Sequence, residues 1–167
     1  MSPGTDNERN MITSTRAANL VLDEAQRQGR TVTPLQVLKL VYISHGMMLG
    51  RYGAPLIGDN IQAWQYGPVV SSLYGNMKRY GSGPVTGRLP TTMFDRGEPT
   101  EAERATIQGV FATYGQFSGP ALSNLTHRPG SPWSQVWRPG VPNLIIPNDL
   151  IRRHYSDAIA RGVLNAA

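Results

Sequence analysis

From Pro34 to Arg51 the chain carries apolar residues on almost every side of a helix. Leu35, Leu38, Val41, Tyr42, His45 and Leu49 form one stripe, and Val37, Leu40 and Met47 form another. A surface helix keeps one apolar stripe and one wetted face, so a helix apolar round most of its circumference has to be enclosed by others. Thr33 stands at the N-cap position, and Pro34 at the first helical position, where a missing N–H costs nothing. Tyr52-Gly53 ends the run. These residues predict a helical bundle with 34–51 at its middle.

The neighbouring segments supply the rest of the bundle. Ala17, Ala18, Val21, Leu22 and Ala25 fall at helical spacing and Gly29 stops them. Thr100-Glu101-Ala102-Glu103 is a capping box, followed by Ile107, Val110, Phe111 and Tyr114. Ser118 caps a shorter helix that ends at His127-Arg128-Pro129-Gly130. The proline-rich run SPWSQVWRPGVPNLIIP leaves room for only a turn or two, around Trp133 to Trp137. A last helix starts near Asn148, with Ile151, Tyr155 and Ile159 facing inward.

Strand signals are few. Ile61, Ala63 and Gln65 alternate with Gln62, Trp64 and Tyr66, which predicts one short strand before Gly67-Pro68. Pro68 is expected to open the next helix, with Val69, Leu73, Met77 and Tyr80 on its apolar face. Residues 82–99 are rich in Gly, Pro and Thr and read as a mobile loop. A second strand near Thr91 to Asp95 is expected to pair with the first. The fold class that follows is mainly α: a single compact domain of about six helices with a small two-stranded β element. Residues 1–12 read as a polar segment, 13–162 as the domain and 163–167 as a tail.

Composition narrows the function classes. The 167 residues include no Cys, which removes disulfides, thiolate metal sites and cysteine nucleophiles. The first ten residues lack the charged-then-apolar order of a secretory signal, and no run is long enough to span a membrane, so a cytoplasmic location with no membrane partner is expected. The net charge of +5 arises from basic residues scattered from Arg9 to Arg161. Scatter fits a solvated surface better than a phosphate-tracking stripe, so a nucleic-acid partner is possible but not favoured.

No catalytic or cofactor constellation emerges. His45, His127 and His154 stand in no ligand spacing, so neither metal nor cofactor is expected. His45 reads as a hydrogen-bonded core histidine, and His127 as a cap on the last carbonyls of its helix. The G-x-S-x-G elbow and the phosphate-binding glycine loop are both missing, and no acidic pair suggests acid–base work. The first two helices imitate a helix-turn-helix, yet only Gln36, Lys39, Ser44 and Arg51 of the second offer polar groups to base edges. The protein is therefore not expected to be an enzyme. A phage or prophage DNA-binding regulator is the alternative, and an uncharacterised hydrolase stands third.

Ala63-Trp64-Gln65-Tyr66-Gly67-Pro68-Val69-Val70 is the most distinctive stretch. Trp64 reads as core filler and Gly67 as the holder of an unusual backbone angle. Tyr66 admits two readings, a structural one and one as part of a partner-binding aromatic surface with Tyr74, Arg79 and Tyr80.

Taken together, Leu35-x-x-Leu38-Lys39-Leu40-Val41-Tyr42, Tyr52-Gly53-x-Pro55-Leu56, Ile61-x-Ala63-Trp64-x-Tyr66-Gly67-Pro68-Val69-Val70 and Tyr74 resemble the Panacea domain family, which includes SocA-like antitoxins and phage-associated proteins. Leu122-Ser123-x-Leu125-Thr126-His127 with Ser131-Pro132-Trp133 matches the family's second block. The resemblance spans roughly residues 15–160 and implies an antitoxin domain that blocks, by direct contact, a toxin encoded by an adjacent gene. In the SocA-like branch it also implies a proteolytic adaptor that delivers the toxin to a AAA+ protease. The motif residues Lys39, Tyr42, Trp64, Gly67, Pro68, Val69, His127 and Trp133 are expected to be mainly structural. Where the family often has Gln-Gly-Trp-His, this chain has His45-Gly46-Met47-Met48. Its small apolar C-terminus resembles tails that such proteases engage, although a frayed helix end is the simpler reading.

Overall fold

A computed structural model describes residues 11–95 and 97–162. Met11 and Ile12 belong to it, and Ile12 is buried and bridges to Ile57. The remainder of the expected polar segment and the tail at 163–167 lie outside the described residues.

Helix α1 (Ser14–Arg27) is capped by Thr13, whose hydroxyl accepts from the Arg16 N–H, and it buries Ala17, Ala18, Val21, Leu22 and Ala25. Helix α2 (Pro34–Tyr52) starts in a capping box formed by Thr33 and Gln36 and ends at Gly53, whose φ of 67° suits a residue without a side chain. It lies at the centre of the bundle, as its two apolar stripes require. The strands β1 (Ile61–Trp64) and β2 (Gly67–Val69) follow, then α3 (Ser71–Met77), which continues into a single 3-10 turn over Lys78–Tyr80. Helices α4 (Glu101–Tyr114), α5 (Gly119–His127) and α6 (Pro132–Val136), strand β3 (Leu144–Ile146) and helix α7 (Asn148–Ala160) complete the order. Among the described residues there are thus seven α-helices, and none is long and apolar enough to cross a membrane.

The closest helix packing joins α2 and α7. A Cβ on Gly46 would lie 2.3 Å from Cε2 of Tyr155, and one on Gly50 would lie 2.7 Å from the Tyr155 backbone carbon. Two glycines one turn apart therefore let the Tyr155 ring and its backbone lie directly on α2. Tyr42 meets that ring edge-on at 6.2 Å, and both phenols are buried. His45 joins three segments: Nε2 is 2.9 Å from Oδ1 of Asn148, while Nδ1 accepts from the N–H groups of Leu56 at 3.3 Å and Ile57 at 3.4 Å. Those roles require the neutral tautomer protonated on Nε2.

The sheet departs from expectation in three ways. It has three antiparallel strands in the order β2-β1-β3 rather than two. Pro68 does not open a helix; it sits in edge strand β2 opposite Ala63, where its lack of an N–H costs no ladder bond. Residues 91–95 form no strand, and side chains bond backbone groups both within this segment and just before it. Asn19 of α1 donates to the Leu89 carbonyl at 3.0 Å and accepts from the Leu89 N–H at 2.7 Å, and the Asp95 carboxylate accepts from the Thr92 N–H at 2.6 Å. The segment expected to be mobile is thus held along α1. The true second partner of β1 is β3, with Ile61 opposite Ile146 and Ala63 opposite Leu144.

Candidate functional site

The two-residue turn Gln65-Tyr66 joins β1 to β2, with Trp64 opposite Gly67. Three side chains from three helices each donate to a carbonyl of this hairpin. Lys39 Nζ of α2 bonds the Pro68 oxygen at 2.7 Å, Ser123 Oγ of α5 the Tyr66 oxygen at 2.5 Å, and Trp133 Nε1 of α6 the Trp64 oxygen at 2.5 Å. Every second carbonyl from 64 to 68 is therefore satisfied by the bundle beneath, and the turn is fixed where β-ladder bonds end.

Gly67 meets two demands at once. Its φ of 122° is open only to glycine, and a Cβ there would come 2.8 Å from Lys39 Nζ. Lys39 itself is buried, and no carboxylate among the described residues pairs with it. Burial pushes its ammonium pKa down to about 7, since the charged form loses its hydration.

Support continues outward through α5 and α6. Nδ1 of His127 bonds the Ser123 carbonyl one turn back, which is the expected capping role, and its ring meets Trp133 edge-on at 5.2 Å. Trp133 stacks on Trp137 at 5.1 Å with an interplanar angle of 16°. Trp133 is the buried member of this aromatic set. Trp64, expected as core filler, is only half-buried; its indole N–H donates to Gln62 at 2.8 Å and its ring meets Tyr74 edge-on at 5.3 Å.

The exposed end of this assembly is aromatic. Tyr66 at the turn is 70% exposed and Tyr74 is 38% exposed. The structure so joins Tyr74 to the hairpin through Trp64. Arg79 and Tyr80 form a pair of their own, with the guanidinium 4.8 Å above the phenol ring. Beside the hairpin, Asn143 adopts a φ of 60° immediately before β3. A groove of about 710 Å³ opens there, lined by Trp64, Gln65, Trp137, Arg138, Val141 and Pro142.

Ser123, quoted in the sequence only as part of a motif, is the donor to the turn whose contact sequence reasoning did not foresee. Its signal was the Ser123/His127 pair, four apart and hence on one face of α5. Other chemistry has little support in the geometry. Lys39 and Ser44 of α2 are buried, so that helix has few groups to offer a DNA groove. Among the described residues no three His, Asp or Glu side chains converge as a metal site would need.

Fold and site together define a helical domain that anchors a β-hairpin and shows an aromatic face. Residues 37–134 match the model of the family described as Antitoxin SocA-like, Panacea domain, and the chain belongs to that family. It is similar to Antitoxin SocA of Caulobacter vibrioides (strain NA1000 / CB15N), at 29% identity in an alignment that covers 71% of this chain and 67% of that protein. No solved structure matches. The matched span holds the hairpin and all three of its donors. Trp137, Arg138, Val141 and Pro142 of the groove lie beyond it.

Proposed function

We propose that this chain is an antitoxin that neutralises a protein toxin by direct contact, and that the hairpin tip with Tyr66 and Tyr74 is the centre of the contact surface. The observation that supports this most is the capture of the Trp64, Tyr66 and Pro68 carbonyls by Trp133, Ser123 and Lys39. A large aromatic side chain is held out to solvent on a turn whose backbone is already immobilised, so little conformational entropy is lost on binding. Tyr and Trp carry much of the energy at protein interfaces, and the adjoining groove offers Trp64 and Trp137 beside Tyr66. The role is binding, with no catalytic step and no cofactor.

The toxin is the product of an adjacent gene in this reading. Co-expression of the two should restore growth, and the two proteins should co-purify as a complex. Harmlessness of the neighbouring product alone, or rescue without a complex, would refute the reading. Removal of Ala166-Ala167 separates contact from delivery to a AAA+ protease: blocking by contact survives the truncation, and delivery through the tail does not.

A further inference from the structure

The groove beside the hairpin has preformed walls. Two of them rest on one buried residue: Trp133 donates from Nε1 to the Trp64 carbonyl at 2.5 Å and stacks on the ring of Trp137 at 5.1 Å. The Trp64 ring is fixed further by its bond to Gln62 at 2.8 Å and its edge-on contact with Tyr74 at 5.3 Å. The remaining wall is the turn Arg138-Pro139-Gly140-Val141, closed by the Val141 N–H donating to the Arg138 carbonyl at 3.2 Å. Pro139 stands at the second position of this turn and Gly140, with a φ of 74°, at the third, which is the pattern of a type II turn. Proline and glycine thus set the backbone locally, and the groove of about 710 Å³ needs no partner to shape it.

The chemistry of the lining is as restricted as its shape. Arg138 is the one charged residue in it, among indoles, prolines and Val141. Its Nη1 donates to the carbonyls of Val136 at 3.3 Å and Trp137 at 2.9 Å, which ties the guanidinium to the end of α6. None of the ion pairs among the described residues includes it. Nε and Nη2 are left for a ligand, and a carboxylate is the anion that a held guanidinium matches best.

The groove is also continuous with the surface proposed for the toxin. Gln65 lines it and Tyr66, 70% exposed, is the next residue of the same turn. Trp64 serves both places at once, as a groove wall and as the neighbour of Tyr74.

We propose that the groove seats an extended segment of the toxin, with an apolar side chain against the two indoles and an Asp or Glu carboxylate on Arg138. The inference rests on the antitoxin reading above. Cavities of about 300–1,000 Å³ enclose ligands of small-molecule size, so a short stretch of chain fits and a folded face does not. Grooves walled by aromatic rings suit extended segments, which have no internal hydrogen bonds to give up. Two indoles and an arginine would also stack bases, but a nucleic-acid strand needs a row of cations along its phosphates, and this groove has one.

The test is titration of the adjacent gene's product into the full chain carrying Arg138→Glu or Arg138→Lys. Arg138→Glu should bind at least tenfold more weakly with an unchanged melting temperature, and Arg138→Lys, which keeps the charge, should bind within threefold of wild type. If Arg138→Glu melts lower, Val141→Glu at an exposed position of the turn replaces it, and the same tenfold loss is expected. Binding of the Glu variant within twofold of wild type overturns the groove as a toxin site while leaving the antitoxin reading intact, because the wild-type complex is then present. A loss of equal size in Arg138→Lys overturns the carboxylate partner. No complex with the wild-type chain overturns both readings. Tight binding of a fluorescent single-stranded oligonucleotide, or a dimer of the free chain in sedimentation, either one abolished by Arg138→Glu, would assign the groove to nucleic acid or to a second copy and overturn the proposal.

Discussion

Lys39 Nζ lies 2.7 Å from the carbonyl oxygen of Pro68, inside the domain and without a carboxylate partner among the described residues. The contact joins the central helix to the hairpin. It also makes a buried base part of the hairpin's support, with consequences for pH.

The folded-state pKa of Lys39 is about 7, against 10.5 in a solvated chain. Below pH 7 both states hold the proton and the cost of burying charge is present in full; between about pH 7 and 10 only the unfolded state holds it. Stability should therefore rise with pH across that window, with a limiting slope of about 1.4 kcal/mol per unit. Above pH 10 the buried phenols of Tyr42 and Tyr155, which burial pushes upward, reverse the trend. Urea midpoints at pH 7, 8 and 9 check the rise, and Lys39→Met should flatten it.

Gly67→Ala should cost about 2–3 kcal/mol, because the backbone at φ 122° is strained for alanine and the new methyl meets Lys39 Nζ. For a domain of this size that lowers the melting temperature by roughly 5–10 °C. Toxin binding should weaken with it, since the turn that carries Tyr66 is displaced.

At the acid end His45 is decisive. Burial lowers its pKa, and protonation of Nδ1 would set an N–H against the N–H groups of Leu56 and Ile57. A depressed base is charged first in the unfolded state, so stability should fall as pH drops below 6.5. Denaturant midpoints from pH 7 to 5 show the loss, and His45→Gln should reduce its slope.

Much of the fold was legible because its signals are local. Thr33-Pro34 and the Thr100/Glu103 box announced their helices, and the two stripes of α2 announced its central place. The errors came where tertiary contacts decide. Pro68 looks the same before a helix and in an edge strand, since its φ suits both, and only the pairing of Gly67 with Trp64 separates them. Leu144–Ile146 is hidden among prolines and reaches β1 across some eighty residues. The loop at 82–99 is held by Asn19, Arg16 and Asp23, none of which carries a local mark of that duty. Of the site, Tyr66 and Tyr74 were visible as aromatics, whereas the three donors that fix the hairpin come from separate helices and meet only in space.

Gly46→Ala tests the α2–α7 junction, where a methyl would enter the Tyr155 ring at 2.3 Å from Cε2. A cost of about 1–3 kcal/mol is expected from overpacking. Tyr155→Phe, by contrast, should cost nothing, because the hydroxyls of Tyr155 and Tyr42 have no hydrogen-bond partner among the described residues. Chemical denaturation of both variants gives the comparison.

The central claim is that the pinned hairpin displays Tyr66 to a toxin. Isothermal titration of the adjacent gene's product into wild type and Tyr66→Ala, with melting temperatures recorded alongside, tests it most directly. The account predicts a loss of at least about 2 kcal/mol of binding energy, some thirtyfold in Kd, with no change in melting temperature. Undiminished affinity of the Tyr66→Ala protein for the toxin would contradict it.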